Sequence, residues 1–218
     1  INDDYLQNFR LKTGYNPEGR RPMIIAHRGS SNSAPENTLA ALSAAIDERA
    51  DGVEIDVRMT KDGEIILMHD STLKRTAGID YHISKLTYSE LADIDVGSWF
   101  SSSYQGEKIP TLMEALELCK GELTLMIEVK GGQYYEHDIA RKIVSDVEEK
   151  GMSQDVIVAS FNQNGLKVVK ELNSSIVTCL ILRFAYGNIN EMEYVDMFSM
   201  ESYFVYKGIY KNIKNSGK

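Results

Sequence analysis

The 218-residue chain lacks the features that mark membrane, nucleic-acid-binding and disulfide-stabilised proteins. No apolar run approaches the roughly 18 residues of a membrane-spanning helix, so no transmembrane segment is predicted. Acidic residues outnumber basic ones, 32 to 24, and the net charge of −8 opposes binding to nucleic-acid phosphates. The two cysteines, Cys119 and Cys179, lie far apart in the sequence, which excludes a zinc-type spacing and gives no sign of a disulfide framework.

The beginning of the chain indicates that this sequence is a piece of a longer protein. It starts at Ile1 rather than at a methionine and shows no signal-peptide pattern. We interpret residues 1–22 as a lead segment or linker, to which an upstream part could be fused, and residues 23–218 as the domain. A cytoplasmic protein and an extracellular or membrane-anchored one both fit this beginning, so no compartment is predicted.

From Met23 onward, short apolar strands alternate with amphipathic helices, which predicts an α/β fold with parallel strands. A capping box of Ser33 and Glu36 is expected to begin the first helix. Residues 64–68 are predicted to form a hairpin with the second strand, and residues 70–109 an insertion after it. The barrel-type strands are predicted at 23–26, 52–57, 123–129, 156–159, 176–182 and 195–199.

A TIM-type (β/α)₈ barrel is favoured over an open doubly wound sheet. The glycine-rich turn of dinucleotide-binding sheets is absent after the first strand, where the sequence reads His27-Arg28-Gly29. Polar residues instead follow several different strands, as they do where a barrel forms a site at its carboxyl face. Because only six such strands are counted before the helix predicted at 202–215, two further βα units are expected beyond Lys218.

Three acidic side chains are predicted to converge on this site. Residues two apart on a strand share a face, so Glu54 projects with Asp56, and Glu128 with Lys130. Buried carboxylates are costly unless a cation compensates them, and all-oxygen ligands favour one divalent cation, Mg²⁺ or Ca²⁺, over zinc. The alternative is a buried ion pair, of Glu128 with Lys130 or of Glu54 with an arginine.

Two histidines, His27 and His69, each end an apolar run and are candidates for acid–base catalysis. Arg28 offers a guanidinium suited to phosphate, and Gly29 is expected to let an anion approach the backbone closely. A structural role is the alternative for each of these residues. Asn37 is interpreted mainly as part of a helix start rather than of the site.

Six motifs follow one another in order between about Met23 and Asn162. They are Ile25-Ala26-His27-Arg28-Gly29, Ala34-Pro35-Glu36-Asn37-Thr38, Glu54-Ile55-Asp56-Val57, His69-Asp70 with Thr72-Leu73 and Arg75-Thr76, Ile109-Pro110-Thr111-Leu112, and Glu128-Val129-Lys130. Together they resemble the glycerophosphodiester phosphodiesterase family. The resemblance implies a barrel related to phosphoinositide-specific phospholipase C and hydrolysis of glycerophosphodiesters to glycerol 3-phosphate and an alcohol.

The resemblance also implies a role for each matching residue. The metal ligands would be Glu54, Asp56 and Glu128, the acid and base His27 and His69, and the phosphate contacts Arg28 and Lys130. A lysophospholipase D or phospholipase C-like enzyme that accepts lipid is the first alternative. A noncatalytic barrel that serves as a binding module is the second, although none of the expected catalytic residues is missing.

Overall fold

The computed structural model describes residues 22–131, 136–182 and 192–200. The strands are β1 (Ile25–His27), β2 (Gly52–Met59), β3 (Ile65–Leu67), β4 (Thr72–Leu73), β5 (Ile79–His82), β6 (Thr124–Val129), β7 (Val156–Ser160), β8 (Val177–Leu182) and β9 (Met197–Met200). The α-helices are α1 (Leu39–Asp47), α2 (Lys74–Ala77), α3 (Tyr88–Leu91), α4 (Leu112–Cys119), α5 (Glu136–Lys150) and α6 (Gln163–Leu172). No helix in these ranges is long and apolar enough to cross a bilayer. The predicted lead segment at 1–22 and the helices predicted near 188–193 and at 202–215 fall almost entirely outside them.

The main sheet has the strand order β1-β2-β6-β7-β8-β9, and every neighbouring pair is parallel. The parallel strands therefore follow one another in chain order, as in a TIM-type barrel, without the reversal of a doubly wound sheet. The predicted hairpin is confirmed, because β3 pairs antiparallel with the second half of β2. The described residues thus supply six parallel strands whose carboxyl ends lie at one edge.

The two faces of β2 have different partners. Val53, Ile55 and Val57 are fully buried in the main core, where they pack with apolar residues of α1 and α4. Successive side chains of a strand alternate between the two faces of the sheet, so Glu54 and Asp56 project from the face opposite to these apolar residues. The packing of the outer face thus fixes the direction of both carboxylates.

The predicted insertion contains the β4–β5 hairpin, α2 and α3 around a small apolar core of its own. Long-range hydrogen bonds tie it to the loop that follows β1 and to the first turn of α1. The Tyr104 hydroxyl donates to the Ser33 carbonyl over 2.7 Å, and Glu107 Oε1 accepts from the Ala40 backbone N–H over 3.2 Å. These contacts hold in place the loop between β1 and α1.

The capping box predicted for Ser33 and Glu36 is wrong. Helix α1 begins five residues later than Ser33 would allow as its cap, and its N-cap is Thr38, whose side chain accepts from the Ala41 N–H. The Glu36 carboxylate instead accepts hydrogen bonds from two arginine side chains. Pairing with arginine joins two charged groups through several hydrogen bonds, so it outweighs a contact with one backbone N–H and draws Glu36 away from the helix.

Candidate active site

The three predicted acidic residues meet at the carboxyl edge of the sheet. Asp56 on β2 is directly opposite Glu128 on β6, and Glu54 precedes Asp56 on the same face. One carboxylate oxygen from each residue lies within 4.8 Å of the other two. The exposed fractions of Glu54, Asp56 and Glu128 are 8%, 0% and 8%, so all three carboxyl groups are largely removed from water.

Both predicted cationic residues lie against these carboxylates. The Lys130 ammonium lies 3.1 Å from Asp56 Oδ1 and contacts Glu128 Oε1. Arg28 Nε lies 3.2 Å from Asp56 Oδ2, and the Arg28 backbone N–H donates to Glu54 Oε2 over 3.0 Å. The ion pair of Glu128 with Lys130 therefore exists, but it is one part of a larger acidic cluster.

Glu54 is the least compensated of the three carboxylates. Within the described residues, no lysine or arginine side chain lies at ion-pair distance from it, and its Oε1 atom is buried without a hydrogen-bond partner. Burial, together with the negative charge of Asp56, raises the pKa of Glu54 to about 8. Oxygen ligands that are buried, clustered and short of positive charge fit a hard divalent cation.

The two predicted histidines occupy different surroundings. His27 ends β1 with an exposed side chain, and its Nε2 atom lies 3.8 Å from Glu54 Oε2. Burial of part of the ring and the charge of Arg28 lower the pKa of His27. His69 follows β3, and its Nδ1 atom lies 2.8 Å from Asp70 Oδ1. An ionised Asp70 only accepts hydrogen bonds, so Nδ1 of His69 carries the proton in this pair.

A chain of ion pairs that the sequence did not predict connects the insertion with the loop after β1. Arg75 Nε donates to Asp70 Oδ2 over 2.7 Å, and its Nη atoms donate to both Glu36 oxygens over 2.7 and 2.8 Å. Arg28 Nη1 donates to Glu36 over 2.9 Å. Although burial opposes it, the hydrogen bonds and charges of Arg75 and Arg28 hold the pKa of Glu36 below its usual value. The orientations of His69 and Arg28 are thus coupled through three charged residues.

The turn after β1 brings Asn37 into the site, so the interpretation of Asn37 as helix-start chemistry is wrong. Its Nδ2 donates to Asp56 Oδ2 over 2.8 Å, and its Oδ1 accepts from the Asp56 N–H over 3.0 Å. Both Asn37 and Arg28 have left-handed backbones, with φ of 56° and 60°. Gly29, with φ of 79°, is required for packing, since a Cβ there would lie 2.7 Å from Ala41 of α1.

Arg58 is a second residue of the site that the sequence did not single out. Its Nε and Nη2 atoms donate to the His69 carbonyl over 3.0 and 2.6 Å, and Nη1 donates to the Lys130 carbonyl over 3.1 Å. One guanidinium thus ties the end of β6 to the segment that carries His69. Its position on β2, two residues after Asp56 and on the same face, is the signal that could have identified it.

Two exposed aromatic residues lie next to cations of the site. The Lys130 ammonium is 5.9 Å from the centre of the Phe161 ring, and the Arg75 guanidinium is 5.7 Å from the Trp99 ring. Cation–π contacts at these distances favour the observed side-chain positions. These rings therefore contribute to the placement of the charged groups at the rim of the site.

Comparison with known proteins agrees with this arrangement. The sequence model that describes the glycerophosphoryl diester phosphodiesterase family matches residues 27–206 of this chain. Among curated relatives, a glycerophosphodiester phosphodiesterase of Caldanaerobacter subterraneus is 38% identical over 153 residues, which is 70% of this chain and 63% of that protein. Glycerophosphodiester phosphodiesterase 1 of Bos taurus is 36% identical over 75% of this chain and 50% of that protein. The chain thus spans about half to two thirds of the length of these relatives.

Solved structures resemble the chain over a larger share of their length. An Oleispira antarctica phosphodiesterase in complex with the product sn-glycerol-3-phosphate has a TM-score of 0.83 and 32% identity, covering 90% of this chain and 81% of that one. A glycerophosphodiester phosphodiesterase from Agrobacterium tumefaciens has a TM-score of 0.76 and 26% identity, covering 90% and 84%. With its α/β barrel strands and its acidic site at their carboxyl ends, the chain belongs to the glycerophosphoryl diester phosphodiesterase family.

Proposed function

We propose that this chain hydrolyses glycerophosphodiesters to sn-glycerol 3-phosphate and an alcohol. The observation that carries the proposal is the buried cluster of Glu54, Asp56 and Glu128 with two cationic side chains at its border. The family membership supports it, as does the similar Oleispira antarctica phosphodiesterase, whose structure holds sn-glycerol-3-phosphate.

Glu54, Asp56 and Glu128 are the residues that would hold one divalent cation, Mg²⁺ or Ca²⁺. The fit rests on their all-oxygen chemistry, on the unpartnered Glu54 Oε1 atom, and on the raised pKa of Glu54. When bound, such a cation polarises a phosphoryl oxygen and offsets negative charge. Asn37 holds Asp56 in position through its two hydrogen bonds.

Arg28 and Lys130 are assigned to the substrate phosphate. Both side chains already lie beside the carboxylate cluster, so a phosphate next to the cluster would be within their reach. Their charges stabilise the negative charge that develops on the phosphoryl oxygens during displacement. Glu36 accepts a hydrogen bond from the Arg28 guanidinium and holds it in place, which limits the loss of side-chain entropy on binding.

His69 is assigned as the acid and His27 as the base. The Asp70 carboxylate accepts a hydrogen bond from the Nδ1–H of His69, which orients the ring and leaves its Nε2 atom to give a proton to the leaving alcohol. His27 has a lowered pKa, so its ring is neutral at pH 7 and can take a proton from the attacking hydroxyl or water. The two different environments thus separate the two roles.

The test is release of glycerol 3-phosphate from glycerophosphocholine, with and without chelator. We expect release that chelator abolishes and that Mg²⁺ or Ca²⁺ restores. The Glu54→Gln variant should be inactive, whereas Glu122→Gln, which changes an exposed carboxylate away from the site, should be active. Full turnover of Glu54→Gln in chelator would exclude the metal role. Hydrolysis of lysophospholipids in place of water-soluble diesters would instead support an enzyme acting on lipid.

A further inference from the structure

Arg58 lies on the same face of β2 as Glu54 and Asp56, two residues after the second of them. Its side chain is partly buried. Arg28 and Lys130 direct their charged groups at carboxylates, whereas Arg58 directs its own at two main-chain carbonyls. This difference indicates a role in holding the main chain rather than the substrate phosphate.

At this point β2 has a neighbouring strand on each edge. The Asp56 carbonyl accepts a hydrogen bond from the Met68 N–H over 2.9 Å, and the Val57 carbonyl accepts one from the Lys130 N–H over 3.0 Å. Successive carbonyls of a strand point to opposite edges, so β3 and β6 flank β2 on opposite sides. Both strands have ended here, at residues 67 and 129, so His69 and Lys130 lie beyond the regular pairing of the sheet.

The Arg58 guanidinium joins these two chain segments across β2. Its Nε and Nη2 atoms donate to the His69 carbonyl over 3.0 and 2.6 Å, and Nη1 donates to the Lys130 carbonyl over 3.1 Å. A guanidinium is planar and presents its donors in a rigid fork, so the three bonds together fix one carbonyl relative to the other. A lysine at this position would keep the charge but, with a single nitrogen, could not reproduce the fork.

Lys130 has other anchors besides Arg58. Its ammonium lies 3.1 Å from Asp56 Oδ1 and contacts Glu128 Oε1, and its N–H donates to the Val57 carbonyl. Loss of the bond from Arg58 would therefore leave the Lys130 ammonium beside the carboxylates. Lys130 thus provides the fixed side to which the Arg58 guanidinium is attached.

His69 depends more strongly on Arg58, because two of the three guanidinium bonds end on its carbonyl. Asp70, itself held by Arg75, sets the direction of the His69 ring, whereas Arg58 sets the position of the His69 main chain. We propose that Arg58 is a positioning residue that places His69 against the leaving alcohol. The inference rests on the proposed function, in which the alcohol oxygen takes the Nε2 proton of His69 as its bond to phosphorus breaks.

The experiment compares kcat/KM of the metal-loaded protein for two diesters, glycerophosphocholine and the 4-nitrophenyl ester of glycerol 3-phosphate. Choline needs a proton as it leaves, whereas nitrophenolate is a stable anion that leaves without one. The His69→Ala variant should therefore lose much more activity with glycerophosphocholine than with the nitrophenyl ester. This split between the two substrates is the signature of a lost acid.

Arg58→Lys and Arg58→Gln should show the same split. We expect the ratio of kcat/KM for glycerophosphocholine to that for the nitrophenyl ester to fall about tenfold or more in both variants, as misplacement of a catalytic group does. Arg49→Lys is the matched control and should leave the ratio unchanged, because Arg49 is an exposed arginine that precedes the amino end of β2, at the opposite edge of the sheet.

The outcomes separate this inference from the function on which it rests. Both rates are measured on one protein sample, so their ratio does not depend on the fraction of folded protein. An unchanged ratio in the Arg58 variants would overturn the inference, whether the two rates are intact or fall together. Restoration of the ratio by Arg58→Lys would also overturn it, because the effect would then come from charge rather than from position.

Two further outcomes concern the proposed function itself. An unchanged ratio in His69→Ala would overturn the assignment of His69 as the acid, and the inference with it, but would leave the hydrolysis of glycerophosphodiesters standing. Failure of the wild-type protein to hydrolyse either diester would overturn the proposed function as a whole.

Discussion

Replacement of Glu54 by glutamine should stabilise the metal-free protein at alkaline pH. Glu54 is buried beside two other carboxylates, and its pKa is raised from 4.5 to about 8. A carboxyl group whose pKa is higher in the folded state than in the unfolded state makes its full contribution to stability when the pH is below the pKa of the unfolded state. That stability is lost as the pH rises from about 4.5 to about 8. Glutamine keeps the shape and an acceptor oxygen but carries no charge.

The structure sets the size of the effect. Each factor of ten in proton affinity corresponds to about 1.4 kcal/mol, so the raised pKa of Glu54 is equivalent to roughly 5 kcal/mol at full ionisation. Urea unfolding of both proteins between pH 5 and pH 9, in chelator, measures it. The difference between the two unfolding free energies should grow by several kcal/mol across this range, and taking the difference cancels groups common to both proteins.

Equal pH dependence in the two proteins would refute this reasoning, since it would mean that Glu54 is not forced to ionise in a buried cluster. Added Mg²⁺ or Ca²⁺ should restore the wild-type stability at pH 9, because a ligand that binds only the folded state stabilises it. The same addition should leave Glu54→Gln nearly unchanged.

Further predictions concern the catalytic and positioning residues. Replacement of His27 or His69 by Ala should lower kcat on the order of 10² to 10⁴, as loss of acid–base catalysis does, and near-normal rates would assign a structural role to that histidine. Arg75→Gln should lower kcat about tenfold to a hundredfold with little change in melting temperature, because it releases the groups that hold His69; an unchanged kcat would show that this network is dispensable. Asn37→Ala should lower the unfolding free energy by about 2 to 4 kcal/mol, because it removes two buried hydrogen bonds. Asn37→Gly removes the same bonds but should cost less, because glycine tolerates the left-handed backbone at this position. Equal losses in urea unfolding would rule out the backbone contribution.

Much of the fold could be predicted from local patterns. The strands Gly52–Met59 and Thr124–Val129 lie within a few residues of their predicted positions. Their apolar residues repeat with the period of the element, so the sequence carries the information locally. The sharing of one face by Glu54 and Asp56 follows from the same alternation.

The errors concern residues whose partners are distant in sequence. Glu36 reads locally as part of a helix cap, but Arg75, 39 residues away, determines its position. Asn37 likewise reads as a helix start, and only the approach of β2 gives it Asp56 as a partner. Gly29 also has a packing role that local spacing does not show, its close contact with Ala41, while the approach of an anion to its backbone stays a prediction. Such roles depend on tertiary contacts that local spacing does not encode.

The central claim, that Glu54, Asp56 and Glu128 hold one divalent cation, is tested most directly by calorimetric titration of Mg²⁺ or Ca²⁺ into metal-stripped protein at pH 7. In buffers of different ionisation enthalpy, we expect one cation to bind with release of about one proton, because Glu54 is mostly protonated in the metal-free state and must lose its proton to bind. Glu128→Gln should lose this binding, whereas Glu122→Gln should retain it. No saturable binding to the wild-type protein, or equal binding by Glu128→Gln, would contradict the claim.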